Sequence, residues 1–498
     1  MRERQKVTIR KLPTGVRGLD EILGGGLPEY SFNIIGGTPG CGKTTLAHQI
    51  VFTNATPERP ALYFTVLGEP ALKMLRYQQQ YKFFNHDMLK NSIHFINLSQ
   101  LALEEDLNAV LDKIVKEVAA VNPGIVVVDS FRTVMWKLQS GDPTVELQAF
   151  IQRLALHLAS WQATSFLIGE YTQGEIQNHP VFTVADGLIW LSQQVERNSI
   201  VRKLQIMKLR GQASVPGMHT IRITESGLQA FPRTFGFTDD INKQASERLL
   251  SIGVPALDAL MHGGIKEGDS ILISGPSGSG KSLLGSQFIH EGIVKGEPGV
   301  LIVFEERPDA YVYRAAKLGM DFKKPMKDGL LEILYLRPLD LSVDETVFEL
   351  TSAVKRIGAK RVVIDSLAGF EMALAPGFRT DFRESLYRMI TVLTRLGVTI
   401  LSTVETQETF TSFGLSNYDV SFLSDDIIRL RYVSIKGQLR KLLVVIKMRN
   451  SQHSTDMHEY EITSKGLVVG RRFEDYRGLT SGIPGPWDYG IQEGQEEP

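Results

Sequence analysis

Two short stretches carry the residue types and spacing from which chemistry can be read: Gly37-Thr-Pro-Gly-Cys-Gly-Lys43-Thr44 and Gly275-Pro-Ser-Gly-Ser-Gly-Lys281-Ser282. Both have the form G-x-x-x-x-G-K-[ST]. Glycine-rich backbone at this spacing turns successive N–H groups inward around phosphate oxygens, the lysine reaches the β- and γ-phosphates, and the hydroxyl sits on Mg2+. The nucleotide contacts expected are Thr38, Pro39, Gly40, Cys41, Gly42, Lys43, Thr44 and Thr45 in the first loop, and Ser277, Gly278, Ser279, Gly280, Lys281, Ser282 and Leu283 in the second. Thr44 and Ser282 are the metal-binding hydroxyls.

Carboxylates follow each loop at matching places. Ile125-Val-Val-Val-Asp129-Ser130 and Arg361-Val-Val-Ile-Asp365-Ser366 read as apolar strands ending in an acid. Such a strand delivers its carboxylate to the edge where open α/β sheets bind ligands, so Asp129 and Asp365 are expected in the Mg2+ shell. The second half also has Phe304-Glu305-Glu306-Arg307-Pro308 after its next strand. Acids there can orient and deprotonate a water or hydroxyl for in-line attack on a γ-phosphate, which makes Glu305 and Glu306, with Lys281, the catalytic candidates. The first half has Val66-Leu67-Gly68-Glu69-Pro70 instead, without the adjacent pair. Its site is expected to bind nucleotide and hydrolyse it slowly, unless an acid such as Glu170 substitutes.

A basic pair recurs late in each half, Lys208-Leu-Arg210-Gly211 and Lys447-Met-Arg449-Asn450. Two exposed cations after a strand are commonly surface charge. Their recurrence at nearly the spacing of the loops favours phosphate contacts, with an arginine-finger role if a neighbouring subunit supplies them.

The elements that must position these residues repeat as well. Short β-prone runs, Ser31–Ile35 and Ser270–Ser274, precede the loops, and helix-like segments, Thr45–Phe52 and Leu283–His290, follow them. Strand, glycine loop and helix is the order an anion site at a helix N-terminus requires. Leu12-Pro-Thr-Gly15 through Leu19-Asp20 matches Leu250-Ser-Ile-Gly253 through Leu257-Asp258 at the offset of 238 that relates the loops, the mark of a duplicated unit.

Further strands are expected at 61–66, 164–168, 187–191 and 201–207, with counterparts at 300–304, 398–401, 427–432 and 442–446, the late ones as antiparallel additions at the sheet edge. A helix is expected over 103–118 from its apolar recurrence at three and four. The pattern predicts an α/β protein of two tandem P-loop NTPase domains, each a mainly parallel sheet flanked by helices. The boundaries expected are 1–233 and 248–475, joined by a linker at 234–247 and followed by a Gly/Pro-rich acidic, solvated tail at 476–498.

The 498 residues suffice for two cores, and a formal net charge of −1 gives no global basic footprint for nucleic acid. Cys41 is the only cysteine, so no intramolecular disulfide can form. It reads as a small residue tolerated in the loop, or alternatively as a redox-sensitive thiol near a helix N-terminus. The start, Met1-Arg-Glu-Arg-Gln-Lys-Val, lacks the apolar core of a signal peptide, and no run approaches about 18 apolar residues. A cytoplasmic protein with no membrane span is expected.

The two loops, Phe304-Glu305-Glu306, Ile364-Asp365-Ser366 and Lys447-Met-Arg449 together resemble the KaiC family of circadian-clock ATPases, within the RecA-like superfamily. The resemblance covers nearly the whole chain. It implies RecA-like domains, ATP and Mg2+, a homohexamer with ATP between subunits, regulatory protein partners, an N-terminal ATPase ring and a C-terminal serine/threonine autokinase ring.

By that resemblance Glu305 is the activating acid, Lys447 and Arg449 contact phosphate in trans as Lys208 and Arg210 do in the first domain, and His453 is the nearby histidine, replaced by Ser214 in the first domain. The adjacent phosphoacceptors fall on Ser421 and Phe422; phenylalanine has no hydroxyl, so Ser421, with Ser424 nearby, is the acceptor left. The reading that follows is a KaiC-like signalling ATPase with serine autokinase activity in the second domain. A RecA-type DNA-dependent ATPase would need basic channel loops, whereas Thr406–Ser416 is polar and aromatic; a nucleotide-gated scaffold is the third reading.

Overall fold

The computed structural model describes residues 9–66, 71–104, 107–130, 153–154, 156–157, 160, 162–175, 180–196, 199–233, 246–336, 341–374, 382–406, 423–449, 451–474, 476–479 and 485–486. The chain divides into two compact units, Met1–Arg233 and Thr234–Pro498. Each contains one nine-stranded sheet.

In the first unit the strands are β1 (Phe32–Gly37), β2 (Ala61–Thr65), β3 (Ile93–Asn97), β4 (Ile125–Asp129), β5 (Thr164–Glu170), β6 (Gly187–Glu196), β7 (Ser199–Leu209), β8 (Met218–Thr224) and β9 (Gly227–Phe231). They lie in the order β9-β8-β7-β6-β1-β5-β4-β2-β3. β1 to β6 pair in parallel, and β7, β8 and β9 extend the sheet antiparallel. The second unit repeats this order with β10 (Ser270–Gly275), β11 (Gly299–Val303), β12 (Leu331–Tyr335), β13 (Arg361–Asp365), β14 (Thr399–Glu405), β15 (Asp426–Ile435), β16 (Gln438–Met448), β17 (His458–Thr463) and β18 (Gly466–Arg472).

The parallel strands read as continuous apolar runs because both faces are covered. Side chains alternate between the faces: Ile35, Tyr63 and Val127 enter one core, Ile34, Leu62 and Val128 the other. β1 and β10 are buried along their whole length, and each is flanked by strands from later in the chain. The loop after each therefore opens at a switch point of the sheet, where open α/β sheets have their ligand crevice.

The expected core strands and loop-following helices are present, and several elements lie beyond the expectation. Gly187–Glu196 runs to twice the expected length and pairs in parallel with β1, so the antiparallel extension begins one strand later, at β7. The edge strands β3 and β12 are half-exposed and lack a continuous apolar run, which hides them in the sequence. The helix expected over 103–118 is seen as α2 (Ser99–Glu104) and α3 (Leu107–Val121), with 105–106 outside the described residues.

The segment from 476, expected to be a solvated tail, is ordered at its start. Tyr476–Arg477 pairs antiparallel with Gly485–Pro486, and Leu479, Phe473 and Tyr476 cover an apolar patch of Val433, Ile435, Leu442 and Val444 on β15 and β16. The Gly/Pro-rich composition obscures these few apolar anchors. The first unit has polar or charged Gln194, Glu196, Lys203 and Gln205 at the four positions that match, so its sequence presents no such apolar patch to cover.

The helix after the first loop, α1 (Lys43–Asn54), buries His48 completely, and neither ring nitrogen has a hydrogen-bond partner. The ring packs against Tyr63 and Phe95 with centroids 4.5 and 5.8 Å away. Burial pushes its pKa down to about 3. The unfolded chain thus binds a proton near pH 6.5 that the folded domain refuses. Stability is unaffected above that pH and falls by about 1.4 kcal/mol per unit below it. His48→Phe should reduce the difference in unfolding free energy between pH 7 and pH 5 by about 2 kcal/mol, read by denaturant titration at both pH values.

Candidate nucleotide sites

Each glycine loop passes from its strand into a helix through a left-handed residue. Gly42 caps α1 with φ 104°, and Gly280 caps α4 (Lys281–Val294) with φ 98°, a conformation that a side chain would strain. Both caps are tightly placed, since a Cβ would come within 2.8 Å of Ile223 at Gly42 and 3.1 Å of Ile462 at Gly280. The helix N-termini that follow supply unpaired N–H groups and partial positive charge.

In the first unit Thr44 Oγ1 donates to Asp129 Oδ2 at 2.9 Å, and Tyr63 Oη donates to the same oxygen at 2.8 Å. Burial pushes the Asp129 carboxyl up from its ordinary value, and these two hydrogen bonds oppose the rise. Lys43 Nζ donates to the Gly37 and Thr38 carbonyls at 3.1 and 2.8 Å, and Glu170 stands 3.8 Å from it. Gly40, Gly42, Lys43, Thr44, Thr45, Asp129 and Glu170 line a cavity of about 370 Å3.

The second unit brings Ser277, Gly278, Lys281, Ser282, Asp365, Glu305 and Glu306 around a cavity of about 420 Å3. Lys281 Nζ donates to the Pro276 carbonyl at 2.7 Å. Burial lowers the Lys281 pKa, against the opposing pull of Glu405, Asp365 and Glu305. Asp365 accepts from Thr403 Oγ1 at 2.7 Å, so the two carboxylates expected at the metal are oriented by different donors, Tyr63 and Thr403.

Among the described residues no three His, Cys, Asp or Glu side chains form a metal cage. One hydroxyl and one carboxylate per site instead fit an ion that completes its shell with phosphate oxygens and water, as Mg2+ does. Thr38 Oγ1, buried in the first loop without a hydrogen-bond partner, is a further polar group suited to a phosphate.

The sequence-expected residues do not all converge. Cys41 and Ser279 turn inward: Cys41 is fully buried and burial raises its thiol pKa, while Ser279 donates to the Pro276 carbonyl at 2.8 Å. The redox-sensitive alternative for Cys41 therefore fails, because a buried, protonated thiol is a poor nucleophile.

The basic pairs lie at the opposite strand ends from the loops. Arg210 pairs with Asp186 at 3.2 Å, and Asp186 accepts from the N–H of Phe32, the first residue of β1. Lys208 Nζ donates to the Thr183 carbonyl at 2.9 Å. In the second unit Arg449 pairs with Asp425 at 3.1 Å, Asp425 accepts from Ser270 N–H at the start of β10, and Lys447 donates to the Ser424 carbonyl at 2.7 Å. Six strand residues separate each pair from its own loop, about 20 Å. Neither pair lines its own cavity.

His453 is half-buried with Nε2 unpartnered and also stands outside the cavity lining. Leu67 to Pro70, Ser421 and Phe422 lie outside the described residues. Residues not expected from the sequence are Tyr63, Thr403, Glu405, Tyr311 and Arg314. Glu170 and Glu405 both end a strand beside the loop strand, paired in register with Gly37 and Gly275, a repetition that aligning the two halves could have found.

The model of the family described as "ATPase: KaiC" matches residues 12–234 and again 250–474. The chain belongs to the KaiC ATPase family. Among KaiC-family relatives, it is 28% identical to the circadian clock oscillator protein KaiC of Picosynechococcus sp. over 488 residues, 96% of this chain and 92% of that one. It is 27% identical to the protein of the same name from Thermostichus vulcanus over 493 residues, covering 97% and 93%, and 27% identical to that of Prochlorococcus marinus, covering 96% of each. Family membership carries the RecA-like fold to both halves and ATP binding to the chain. Among the described residues no helix is long and apolar enough to cross a membrane.

Proposed function

We propose that this KaiC-family ATPase binds Mg2+-ATP in both domains, turns it over mainly in the second, and transfers phosphate there to its own serine. The observation that carries this reading is the second cavity, which Lys281, Ser282, Asp365, Glu305 and Glu306 share. Glu305 accepts the proton of the attacking group, a water in hydrolysis or Ser421 Oγ in self-phosphorylation. The new oxygen–phosphorus bond forms as the bond to the β–γ bridging oxygen breaks, and ADP leaves. Lys281 and the loop N–H groups bind the phosphates and stabilise the charge that moves onto them. Mg2+ bound through Ser282 and Asp365 would neutralise charge on the β- and γ-oxygens.

The first site, with Thr44 and Asp129 but no paired glutamates in its sequence, holds nucleotide as a structural or regulatory ligand. Lys208, Arg210, Lys447, Arg449 and His453 act on the nucleotide of a neighbouring subunit. Their distance from the loops of their own chain supports this, and with it a homo-oligomer, a hexamer by family, acting in the cytoplasm with regulatory protein partners.

Incubating the full chain with Mg2+-ATP and mapping phosphate by mass spectrometry should place phosphate on Ser421. An unmodified Ser421 and Ser424 would reduce the activity to binding and hydrolysis.

A further inference from the structure

Glu305 and Glu306 are neighbours in sequence and stand differently in the second cavity. Glu306 Oε2 pairs with Arg314 Nη2 of α5 (Pro308–Lys317) at 2.7 Å. Glu305 has a longer contact, accepting from Ser366 Oγ at 3.4 Å. The Arg314 guanidinium lies 4.7 Å from the centre of the Tyr311 ring. Tyr311 Oη is 2.8 Å from Ser286 Oγ and donates to the carbonyl of Ser282 at 3.3 Å. One chain of contacts thus runs from Glu306 through Arg314 and Tyr311 to the backbone of the residue assigned to the metal.

We propose that Arg314 is a positioning residue for this site: it holds Glu306 in an ion pair, leaves Glu305 of the two to face the reacting atoms, and through Tyr311 ties α5 to the start of α4. The proposal deepens, and rests on, the reading of Glu305 as the proton acceptor. Among the described residues four carboxylates line the cavity, Glu305, Glu306, Asp365 and Glu405, against two cations, Lys281 and Arg314. Arg307 adjoins the pair in sequence. Removing Arg314 takes away one of those two cations and leaves the Glu306 carboxylate without its ion-pair partner beside Glu305. As an exposed ion pair the contact adds little to stability, so its effect should be seen in the acid limb of the rate rather than in folding. Arg76 stands at the matching place in the first domain, where positions 67 and 68 offer it no carboxylate.

The test is the pH dependence of ATP turnover by the full chain at saturating Mg2+-ATP. Arg314→Met should move the acid limb up by about 0.5–1 pH unit and lower turnover at pH 6.5 about 3–10-fold. Adding Glu306→Gln to Arg314→Met should return the limb to its wild-type position, and Arg314→Lys should hold it close to there. An acid limb unmoved by Arg314→Met, or moved and not returned by Glu306→Gln, overturns the proposal. If Arg314→Met does not fold, Arg314→Gln takes its place with the same outcomes. Glu305→Gln separates the two readings: wild-type turnover in that variant removes the role of Glu305 and this proposal with it, whereas an inactive Glu305→Gln beside an unmoved Arg314→Met removes only the role of Arg314.

Discussion

Glu305→Gln is expected to lower ATP turnover by about 10^2–10^3-fold while nucleotide remains bound. The amide has the size of the carboxylate and can still accept from Ser366 Oγ, so the shape of the site is retained. What it loses is the ability to take a proton from the attacking oxygen. The groups proposed to bind phosphate and metal, Lys281, Ser282 and Asp365, are untouched, which separates this variant from one that fails to bind. The check is steady-state turnover beside equilibrium binding of Mg2+-ATP. A fall of less than about threefold would mean that Glu306 or Glu405, which line the same cavity, takes the proton instead.

Glu297→Ala is expected to cost the second domain about 3–5 kcal/mol. Arg361 is completely buried at the first position of β13; its Nε donates to Glu297 at 2.8 Å, and Nη2 lies in ion-pair contact with the same carboxylate at 2.7 Å. Arg361 Nη1 donates to the carbonyls of Ser251 and Phe288 at 2.8 and 2.9 Å, and the guanidinium stacks over the Phe288 ring. The same glutamate pairs with Arg248. Its removal strands a cation in the core, whereas exchanging both partners for apolar residues, Arg361→Met with Glu297→Leu, should recover most of the loss. The melting transition of the second domain should fall by about 10 °C in the single variant, measured by calorimetry. A loss under about 1 kcal/mol would show that water reaches the guanidinium. β13 ends in Asp365, so the pair also anchors the strand that carries the carboxylate proposed to hold the metal.

What could be read from sequence was local. The glycine loops, the strands before them and Asp129 and Asp365 are specified within a few residues, and the structure has each loop and its carboxylate around one cavity. Tyr63 and Thr403 were not legible, because they meet the carboxylates only through strand register, Thr65 opposite Asp129 and Ile364 opposite Ser402. Arg361 opens an apolar run, where a charge reads as exposed, yet it is buried because Glu297 comes from a turn more than sixty residues earlier. The basic pairs were legible as a repetition, but their distance from their own loops follows from the sheet order alone.

Whether the second domain carries the main turnover is measured most directly by steady-state ATP hydrolysis of the full chain with Lys281→Ala beside wild type. A residual rate of about 1% or less is predicted, since a lysine in the proposed role stabilises charge on the transferring phosphoryl group. A rate undiminished from wild type would contradict the assignment and move the activity to the loop at Gly37 to Thr44.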